Sequence, residues 1–266
     1  MQYKLLSVDI DGTLINNKKE VTPKTKERIH KAIEKGVVFT ISSGRPVQGV
    51  QLITDQLELD VPVITYNGAM VITGESRNII YSCNMKKEDA LQIESLGKQR
   101  DTLIAIWSDN KLYVNHMNEL AIKYSTISGT EPVLYTEIEQ LIEKGINKIL
   151  WYDDVERIEE YERELKTILS PTVNFHTSQP FFLEFVDINA SKAIALEKLG
   201  SHYGICKEEM IAIGDGYNDL SMIEYAGLGV AMENAPQEIK QAADFVTLSN
   251  EDDGVAYVID KFILNE

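Results

Sequence analysis

The sequence predicts an α/β protein in which a parallel-sheet core is interrupted once by an inserted α+β domain. Short apolar runs alternate with helical patterns over residues 1–82, and the same alternation returns over residues 188–266. Strands and helices that alternate in this way form a parallel sheet with right-handed crossovers. Residues 83–187 lack that alternation, and their pattern indicates a separate domain inserted into a loop of the core.

The first core segment reads as three strands joined by two helices. The apolar runs predicted as buried strands are residues 3–8, 37–41 and 61–65. Thr22 followed by Pro23 is typical of a helix start, because a capping hydroxyl comes just before a residue that suits the first helical turn. This helix is predicted to end at Gly36, and a second one near Leu57.

The second core segment repeats the pattern. Its predicted strands are residues 210–213, 228–232 and 245–248. Its predicted helices are residues 191–199, 219–225, 236–243 and a last amphipathic helix near 255–262.

The inserted segment has a different order of elements, because each of its helices is followed by a group of strands. Its predicted helices are 86–98 and 155–169, and its predicted strands are 103–107, 111–114, 146–152, 172–175 and 181–186. Such clustering is typical of an α+β domain.

Charge and composition exclude several classes of partner. The formal net charge is -16, and no cluster of lysine and arginine interrupts the acidic balance. Nucleic-acid binding depends on neutralising phosphates with basic side chains, so we expect no nucleic-acid partner. The same charge repels anionic substrates, so a phosphate site would need local lysines, arginines or a metal ion. No run approaches the roughly 18 apolar residues of a membrane span, and we expect no membrane partner.

The two cysteines favour a reducing environment. Cys83 and Cys206 lie far apart and lack metal-ligand spacing, so we expect free thiols. The first residues turn acidic too early for a signal peptide. A cytoplasmic location is the resulting expectation, and the oligomeric state stays open.

Two aspartates follow the first predicted strand directly. Asp9 and Asp11 flank Ile10 and precede Gly12. Open parallel sheets bind ligands at the carboxyl ends of their strands, and residues two apart on a strand point the same way. Both carboxylates are therefore predicted to face one site. Two carboxylates at such a short distance repel each other, so they need a nearby cation or a shared proton. An ordinary acidic turn is the alternative.

A second acidic loop follows the predicted strand at 210–213. Asp215 lies between two glycines, and Asp219 is placed to cap the next helix. A glycine-rich turn with a capping aspartate would look the same. Two acidic strand ends on one sheet are harder to explain as turns. Oxygen ligands without histidine or cysteine suit Mg²⁺ better than Zn²⁺.

Two weaker signals complete the pattern. Ser43, Gly44 and Arg45 end the second predicted strand, where a hydroxyl and backbone N–H groups can hold a phosphoryl oxygen. Lys192 follows Ser191 at the start of a helix. Taken alone, the first signal is explained equally well by a serine-rich turn. Taken alone, the second is explained by a lysine exposed to solvent. All four loops are predicted to meet at one rim of the sheet.

The four loops carry the motifs of a known family. The sequence resembles the haloacid dehalogenase superfamily of phosphatases, and within it the Cof-type members with a C2B cap. The motifs are DIDGTL from Asp9, TISSGRP from Thr40, SKA from Ser191 and GDGYNDLSM from Gly214. Further runs similar to the subfamily are TYNGA from Thr65, VAMENA from Val230 and DGVA from Asp253. Ser43 stands where threonine is commoner, and Ala193 where glycine is usual.

The resemblance implies a Rossmann-like core, a cap that closes over the site, and Mg²⁺-dependent hydrolysis of small phosphorylated metabolites. Sugar phosphates, flavin mononucleotide and pyridoxal phosphate are the implied substrate classes. Asp9 would attack phosphorus and become an aspartyl phosphate. Asp11 would protonate the leaving alcohol and then activate water. This requires a protonated Asp11, which crowding of the two carboxylates is expected to favour.

The resemblance also implies roles for the other loops. Mg²⁺ would be held by Asp9, the backbone carbonyl of Asp11, and Asp215. Asp219 would act behind these ligands, orienting a water or the lysine. The phosphate-binding residues would be Ser43, Gly44, Lys192 and Asn218. For Arg45 and Asn67, substrate contact and a purely structural role both stay open.

Two other functions fit the same residues. A phosphomutase would return the phosphate to its sugar instead of releasing it. A phospho-acceptor module would hold an aspartyl phosphate without turnover, although such modules are shorter and lack a partner carboxylate at the Asp11 position.

Overall fold

The computed structural model describes residues 3–74 and 76–265. The strands in chain order are β1 (Leu5–Val8), β2 (Val38–Ser42), β3 (Val63–Thr65), β4 (Met70–Ile72), β5 (Ile79–Ser82), β6 (Leu103–Ser108), β7 (Lys111–Val114), β8 (Val133–Leu134), β9 (Ile146–Tyr152), β10 (Val173–Gln179), β11 (Phe182–Asp187), β12 (Met210–Gly214), β13 (Leu228–Ala231) and β14 (Phe245–Val246). The helices are α1 (Pro23–Glu34), α2 (Val47–Leu57), α3 (Lys87–Gln99), α4 (Glu119–Ser128), α5 (Ile138–Lys144), α6 (Val155–Leu165), α7 (Lys192–Tyr203), α8 (Leu220–Tyr225), α9 (Gln237–Ala242) and α10 (Gly254–Ile259).

The chain forms two compact units. The first unit combines the residues up to Tyr81 with those from Ser191 onward, and the second unit is Ser82–Ala190. Among the described residues, no helix combines the length and the apolar character that crossing a membrane requires.

An eight-stranded sheet organises the first unit, in the order β14-β13-β12-β1-β2-β3-β4-β5. Neighbouring strands from β14 to β3 are parallel, and β4 runs antiparallel to β3. The predicted α/β fold with a parallel-sheet core is therefore confirmed. In the central strand, Leu5 pairs with Met210 on one side and with Val38 on the other.

The central strands form because their sequences are continuously apolar or small. Every residue of β1 and β12 is buried, as expected for parallel strands covered on both faces. Helix α1 begins as predicted: the Thr22 side chain accepts a hydrogen bond from the Thr25 N–H, and Pro23 occupies the first turn. The carboxyl ends of the parallel strands lie at one edge of the sheet, so the loops that follow them come together there.

The second unit is built on a six-stranded sheet in the order β10-β11-β9-β6-β7-β8. Its pairings are antiparallel except for β7 with β8. Helices α3, α5 and α6 contribute to one apolar cluster with the sheet. The strand residues in that cluster include Ile104, Ile106, Ile149, Trp151, Leu183 and Phe185. The sequence did not predict α4, α5, β4, β5 or β8.

A buried ion pair lies on the second unit's sheet. Lys148 Nζ is 3.0 Å from Glu184 Oε2, and both residues are buried. Ser178 Oγ donates to the other carboxylate oxygen of Glu184 at 2.9 Å. Side chains alternate along β9, so Lys148 points away from the face on which Trp151 packs. The pair is satisfied only while both charges are present.

Replacing Lys148 by methionine is therefore expected to lower the free energy of unfolding of the second unit by about 3–5 kcal/mol, because Glu184 keeps a buried charge without its partner. Urea titration followed by tryptophan fluorescence measures this selectively, since both tryptophans, Trp107 and Trp151, lie in this unit. The matched control is Lys166→Met, which breaks an exposed helical pair with Glu162 and is expected to cost less than about 1 kcal/mol. An equal loss of unfolding free energy in the two variants would show that Glu184 does not depend on Lys148 as the partner of a buried charge.

Candidate active site

Asp9 lies just beyond the end of β1 and is buried. Its N–H donates to the Ile213 carbonyl at 3.0 Å, so pairing with β12 continues past the last strand residue. Its Oδ1 is 2.7 Å from Lys192 Nζ. The carboxylate is thereby fixed at the edge of the sheet where the loops meet.

Lys192 is completely buried at the start of α7, which Ser191 caps. Its ammonium donates to Asp9 Oδ1 at 2.7 Å, the Ser42 carbonyl at 2.8 Å and Asp219 Oδ1 at 2.5 Å. A lysine ammonium has three N–H donors, so all of them have protein acceptors. Burial by itself would lower the pKa of Lys192, but Asp219 and Asp9 outweigh it and raise the pKa. The residue is a fixed positive charge.

Asp219 connects this lysine to the second acidic loop. Its other oxygen, Oδ2, accepts from the N–H groups of Asp215 at 3.0 Å and Gly216 at 2.9 Å. Only glycine fits at position 214, because a Cβ there would lie 2.4 Å from the Asp219 Cβ. Asp219 therefore positions both Lys192 and the turn that carries Asp215.

Asp215 faces the first acidic loop. Thr13 Oγ1 donates to its Oδ1 at 2.8 Å. Gly12 has a φ of +81°, and a Cβ on it would lie 2.3 Å from Asp215 Oδ2. Glycine is needed at position 12 both for its left-handed backbone and for this close approach.

Three of these carboxylates could hold one metal ion. Among the described residues, one carboxylate oxygen from each of Asp9, Asp215 and Asp219 lies within 4.8 Å of the others. When all three carboxylates are ionised, the cluster with its one ammonium carries a net charge of -3 + 1 = -2, which a divalent cation would neutralise. Burial, aided by nearby Asp219, raises the pKa of Asp9 to about 8. Burial also raises the pKa of Asp215 to about 6. These all-oxygen donors fit Mg²⁺.

Asp11 differs from its prediction. Its carboxylate forms a bidentate pair with Arg45, at 2.8 Å from Nε and 2.7 Å from Nη2, and lies 3.3 Å from Lys19 Nζ. Burial pushes its pKa upward, but Arg45 and Lys19 outweigh burial and hold the pKa of Asp11 below its ordinary value. The expectation of an Asp11 crowded by Asp9 and protonated is wrong in this structure. The reason is that β1 ends at Val8, so strand alternation no longer directs this side chain.

The Ser43–Gly44 loop meets two asparagines. Ser43 N–H donates to the Ile64 carbonyl at 2.9 Å, which joins this loop to β3. Asn67, in the turn after β3, lies so close to Gly44 that a Cβ there would be 2.7 Å from the Asn67 Oδ1. Asn218 Nδ2 donates to the same Oδ1 at 3.1 Å. The structure thus gathers the predicted phosphate-binding residues Ser43, Gly44 and Asn218 around Asn67.

One positioning residue was missed from the sequence. Asn234 Nδ2 donates to the Gly12 carbonyl at 2.8 Å, and its Oδ1 accepts from the Asn250 N–H at 3.1 Å. Asn234 therefore ties the first acidic loop to the loop between β14 and α10. It lies in the run VAMENA, which carried the family resemblance but was given no role.

Comparisons with known proteins show which proteins this chain is similar to. A family model described as haloacid dehalogenase-like hydrolase matches residues 6–259. The putative phosphatase YxeH of Bacillus subtilis is 32% identical over 98% of this chain and 99% of its own length. YwtE of the same organism, a 5-amino-6-(5-phospho-D-ribitylamino)uracil phosphatase, is 30% identical over 98% of both chains. Among solved structures, a sugar phosphatase of haloacid dehalogenase subclass IIB superimposes with a TM-score of 0.82 at 27% identity, covering 97% of this chain and 98% of its own.

Proposed function

Because the chain belongs to the haloacid dehalogenase-like hydrolases and is a phosphoric monoester hydrolase, we propose that it is a Mg²⁺-dependent phosphatase that works through an aspartyl phosphate on Asp9. The observation that carries this proposal is the cluster of buried Asp9 and Asp219 with half-buried Asp215 beside Lys192. It combines a fixed nucleophile, a permanent positive charge and oxygen donors for a divalent cation.

In the first step, a carboxylate oxygen of Asp9 attacks the phosphorus of a monoester. The bond from phosphorus to the leaving oxygen breaks, and an acyl phosphate forms on Asp9. The ammonium of Lys192 holds Asp9 Oδ1 in place and offsets the negative charge that accumulates around it. Because its N–H donors are used within the protein, Lys192 acts on the phosphate through charge and not through a direct hydrogen bond.

Asp11 handles the protons. Once it leaves Arg45 and Lys19, which hold its pKa low, Asp11 takes up a proton from solvent and gives that proton to the departing alkoxide. The carboxylate that results then takes a proton from the water that attacks the acyl phosphate. The second step breaks the bond between phosphorus and Asp9, releases inorganic phosphate and restores the carboxylate. Asp11 must first exchange its pair with Arg45 for the leaving-group oxygen. The side chains of Asp11 and Arg45 are 48% and 28% exposed, so this exchange is inexpensive.

The metal and phosphate ligands complete the proposal. Asp9, Asp215 and the backbone carbonyl of Asp11 would hold Mg²⁺, with Asp219 behind them. The ion would supply charge stabilisation for the phosphoryl oxygens. The Ser43 hydroxyl, the Gly44 N–H and Asn218 would bind the phosphoryl oxygens.

We further propose substrates among small phosphorylated metabolites of the sugar phosphate, flavin mononucleotide or pyridoxal phosphate classes. The sugar phosphatase among the structural relatives and the phosphoribityl substrate in the name of YwtE support the first two. Flavin mononucleotide carries the same ribityl phosphate group.

Removing the metal tests the proposed function. Purified protein is incubated with a panel of phosphorylated metabolites in Mg²⁺, and inorganic phosphate is measured. Chelation with EDTA is expected to lower the rate of phosphate release about 10²-fold or more. Loss of a single group that stabilises the charge developing in the transition state lowers kcat by about this factor. Added Mg²⁺ should restore the rate. Release that is equally fast in EDTA would contradict the metal requirement.

The same assay separates the other functions. Conversion of a sugar phosphate to its isomer without phosphate release would identify a phosphomutase. One phosphate retained per chain, without further turnover, would identify a phospho-acceptor. Either result would replace the proposed hydrolysis.

A further inference from the structure

The turn after β3 has an unusual backbone. Tyr66, Asn67 and Gly68 follow one another with φ values of +53°, +56° and +95°. Consecutive left-handed residues are rare outside glycine, and such strain persists only where the surrounding structure imposes it. Gly68 is required, because a Cβ there would lie 2.2 Å from the Ser191 carbonyl oxygen. The turn therefore packs against Ser191, the residue that caps helix α7.

This backbone delivers Asn67 to the Ser43–Gly44 loop. Tyr66 N–H donates to the Arg45 carbonyl at 3.2 Å, and Asn67 N–H donates to the Ser43 carbonyl at 3.1 Å. The Asn67 side chain then lies over Gly44: a Cβ on Gly44 would be 2.7 Å from its Oδ1 and 3.2 Å from its Nδ2. Any larger residue at position 44 would displace this amide.

The hydrogen bonds of the Asn67 amide are unequally satisfied. Its Oδ1 accepts from Asn218 Nδ2 at 3.1 Å. Its Nδ2 has two N–H donors, and the side-chain hydrogen bond that the described residues give Asn67 uses its Oδ1 and not its Nδ2. The residue is only 8% exposed. Asn67 Nδ2 is not one of the fully enclosed unpaired polar atoms of the described residues, so its N–H groups are open to a ligand. Donors that strained backbone holds beside the Ser43–Gly44 loop suit an anionic ligand.

We propose that Asn67 is a phosphate-binding residue whose side-chain N–H groups donate to a phosphoryl oxygen next to the Gly44 N–H, an assignment that rests on the proposed function of this site. Asn67 thereby donates a hydrogen bond directly to the phosphate, which Lys192 cannot do because its three N–H groups already have acceptors in the protein. It also fixes the orientation of Asn218, because one asparagine accepts from the other.

Two substitutions separate phosphate binding from a structural role. Asn67→Gly keeps the left-handed backbone and removes the amide. Asn67→Asp keeps the shape and the acceptor for Asn218, but it replaces the donors by a negative charge. The matched control is Asn110→Gly, which changes an asparagine with a φ of +55° in the turn between β6 and β7 of the second unit. Thermal unfolding verifies that each variant is folded.

Binding of orthophosphate in Mg²⁺ is measured by calorimetry, and phosphate release from the best substrate is measured in parallel. Asn67→Gly is expected to weaken orthophosphate binding about tenfold, as for the loss of one hydrogen bond to a charged group. Asn67→Asp should weaken it further, and Asn110→Gly should leave it unchanged. A merely structural Asn67 would tolerate aspartate.

The outcomes distinguish the two proposals. Wild-type phosphate release together with unchanged orthophosphate binding by Asn67→Asp would overturn the role of Asn67 and leave the phosphatase intact. If Asn67→Gly did not fold, the aspartate variant would decide alone. Wild-type protein that neither binds orthophosphate nor releases phosphate would overturn the proposed function, and the role of Asn67 with it.

Discussion

Asp9→Asn is expected to lower kcat by about 10⁴-fold or more while the protein stays folded. The amide cannot attack phosphorus, so no acyl phosphate forms, and the remaining groups have nothing to act on. Its oxygen can still accept the hydrogen bond from Lys192, which preserves the local geometry. Release of inorganic phosphate and mass spectrometry of the quenched protein measure the two consequences directly.

The same substitution should also change the pH dependence of stability in metal-free protein. The pKa of Asp9 is raised from 3.8 to about 8, so the folded protein holds this proton more tightly than the unfolded chain. The resulting stabilisation is complete below about pH 4 and is lost as the pH rises to about 8. Asparagine is neutral throughout. At pH 8 without metal, the variant should therefore melt at the same temperature as the wild type or higher.

The control for this experiment is Asp154→Asn, an exposed aspartate before α6 where asparagine is an equally good capping residue. It should keep the wild-type rate and melting temperature. A folded Asp9→Asn protein that releases phosphate at the wild-type rate would remove Asp9 from its role as nucleophile.

Lys192→Met is expected to lower kcat/KM by about 10³-fold and the free energy of unfolding by about 3–5 kcal/mol. Both effects have one cause. The ammonium is the shared partner of Asp9 and Asp219, and without it two buried carboxylates are left facing each other. Urea unfolding and steady-state kinetics measure the two losses separately.

A double variant separates stability from catalysis. In Lys192→Met with Asp219→Asn, one buried charge is gone, and the new amide oxygen can still accept from the N–H groups of Asp215 and Gly216. Much of the lost stability should return, whereas the activity should not. Wild-type kcat/KM in the single variant would show that the ammonium plays no part in the reaction.

The sequence predicted the sheet of the first unit well because its central strands β1 and β12 are buried runs of apolar and small residues that stop at Asp9 and Gly214. It did not predict β4, which has three residues and follows a tight turn directly. Helix α4 was also missed. Its exposed surface carries Ile122 and Ile127, so apolar and polar residues are not separated along the sequence.

The site shows the same division between what a local pattern specifies and what only packing determines. The positions of Asp9, Asp215 and Lys192 follow from strand ends and a helix start, and the sequence indicates those directly. The direction of the Asp11 side chain depends on Arg45, which lies 34 residues away. The role of Asn67 depends on backbone angles and on Asn218, 151 residues away. No short-range pattern contains these pairings.

The position of β1 between β2 and β12 has a consequence for synthesis of the chain. The ribosome completes β1 and β2 early, but the strand that covers the other side of β1 begins only at Met210. Until then, one flank of the nascent central strand lacks its hydrogen-bonding neighbour, and Asp9 has neither Lys192 nor Asp219 beside it. Pairing between strands so far apart in the sequence forms slowly, and the intermediates that precede it expose apolar surface and tend to aggregate. The cluster of Asp9, Lys192 and Asp219, which is the proposed catalytic centre, is consequently among the last parts of the molecule to assemble.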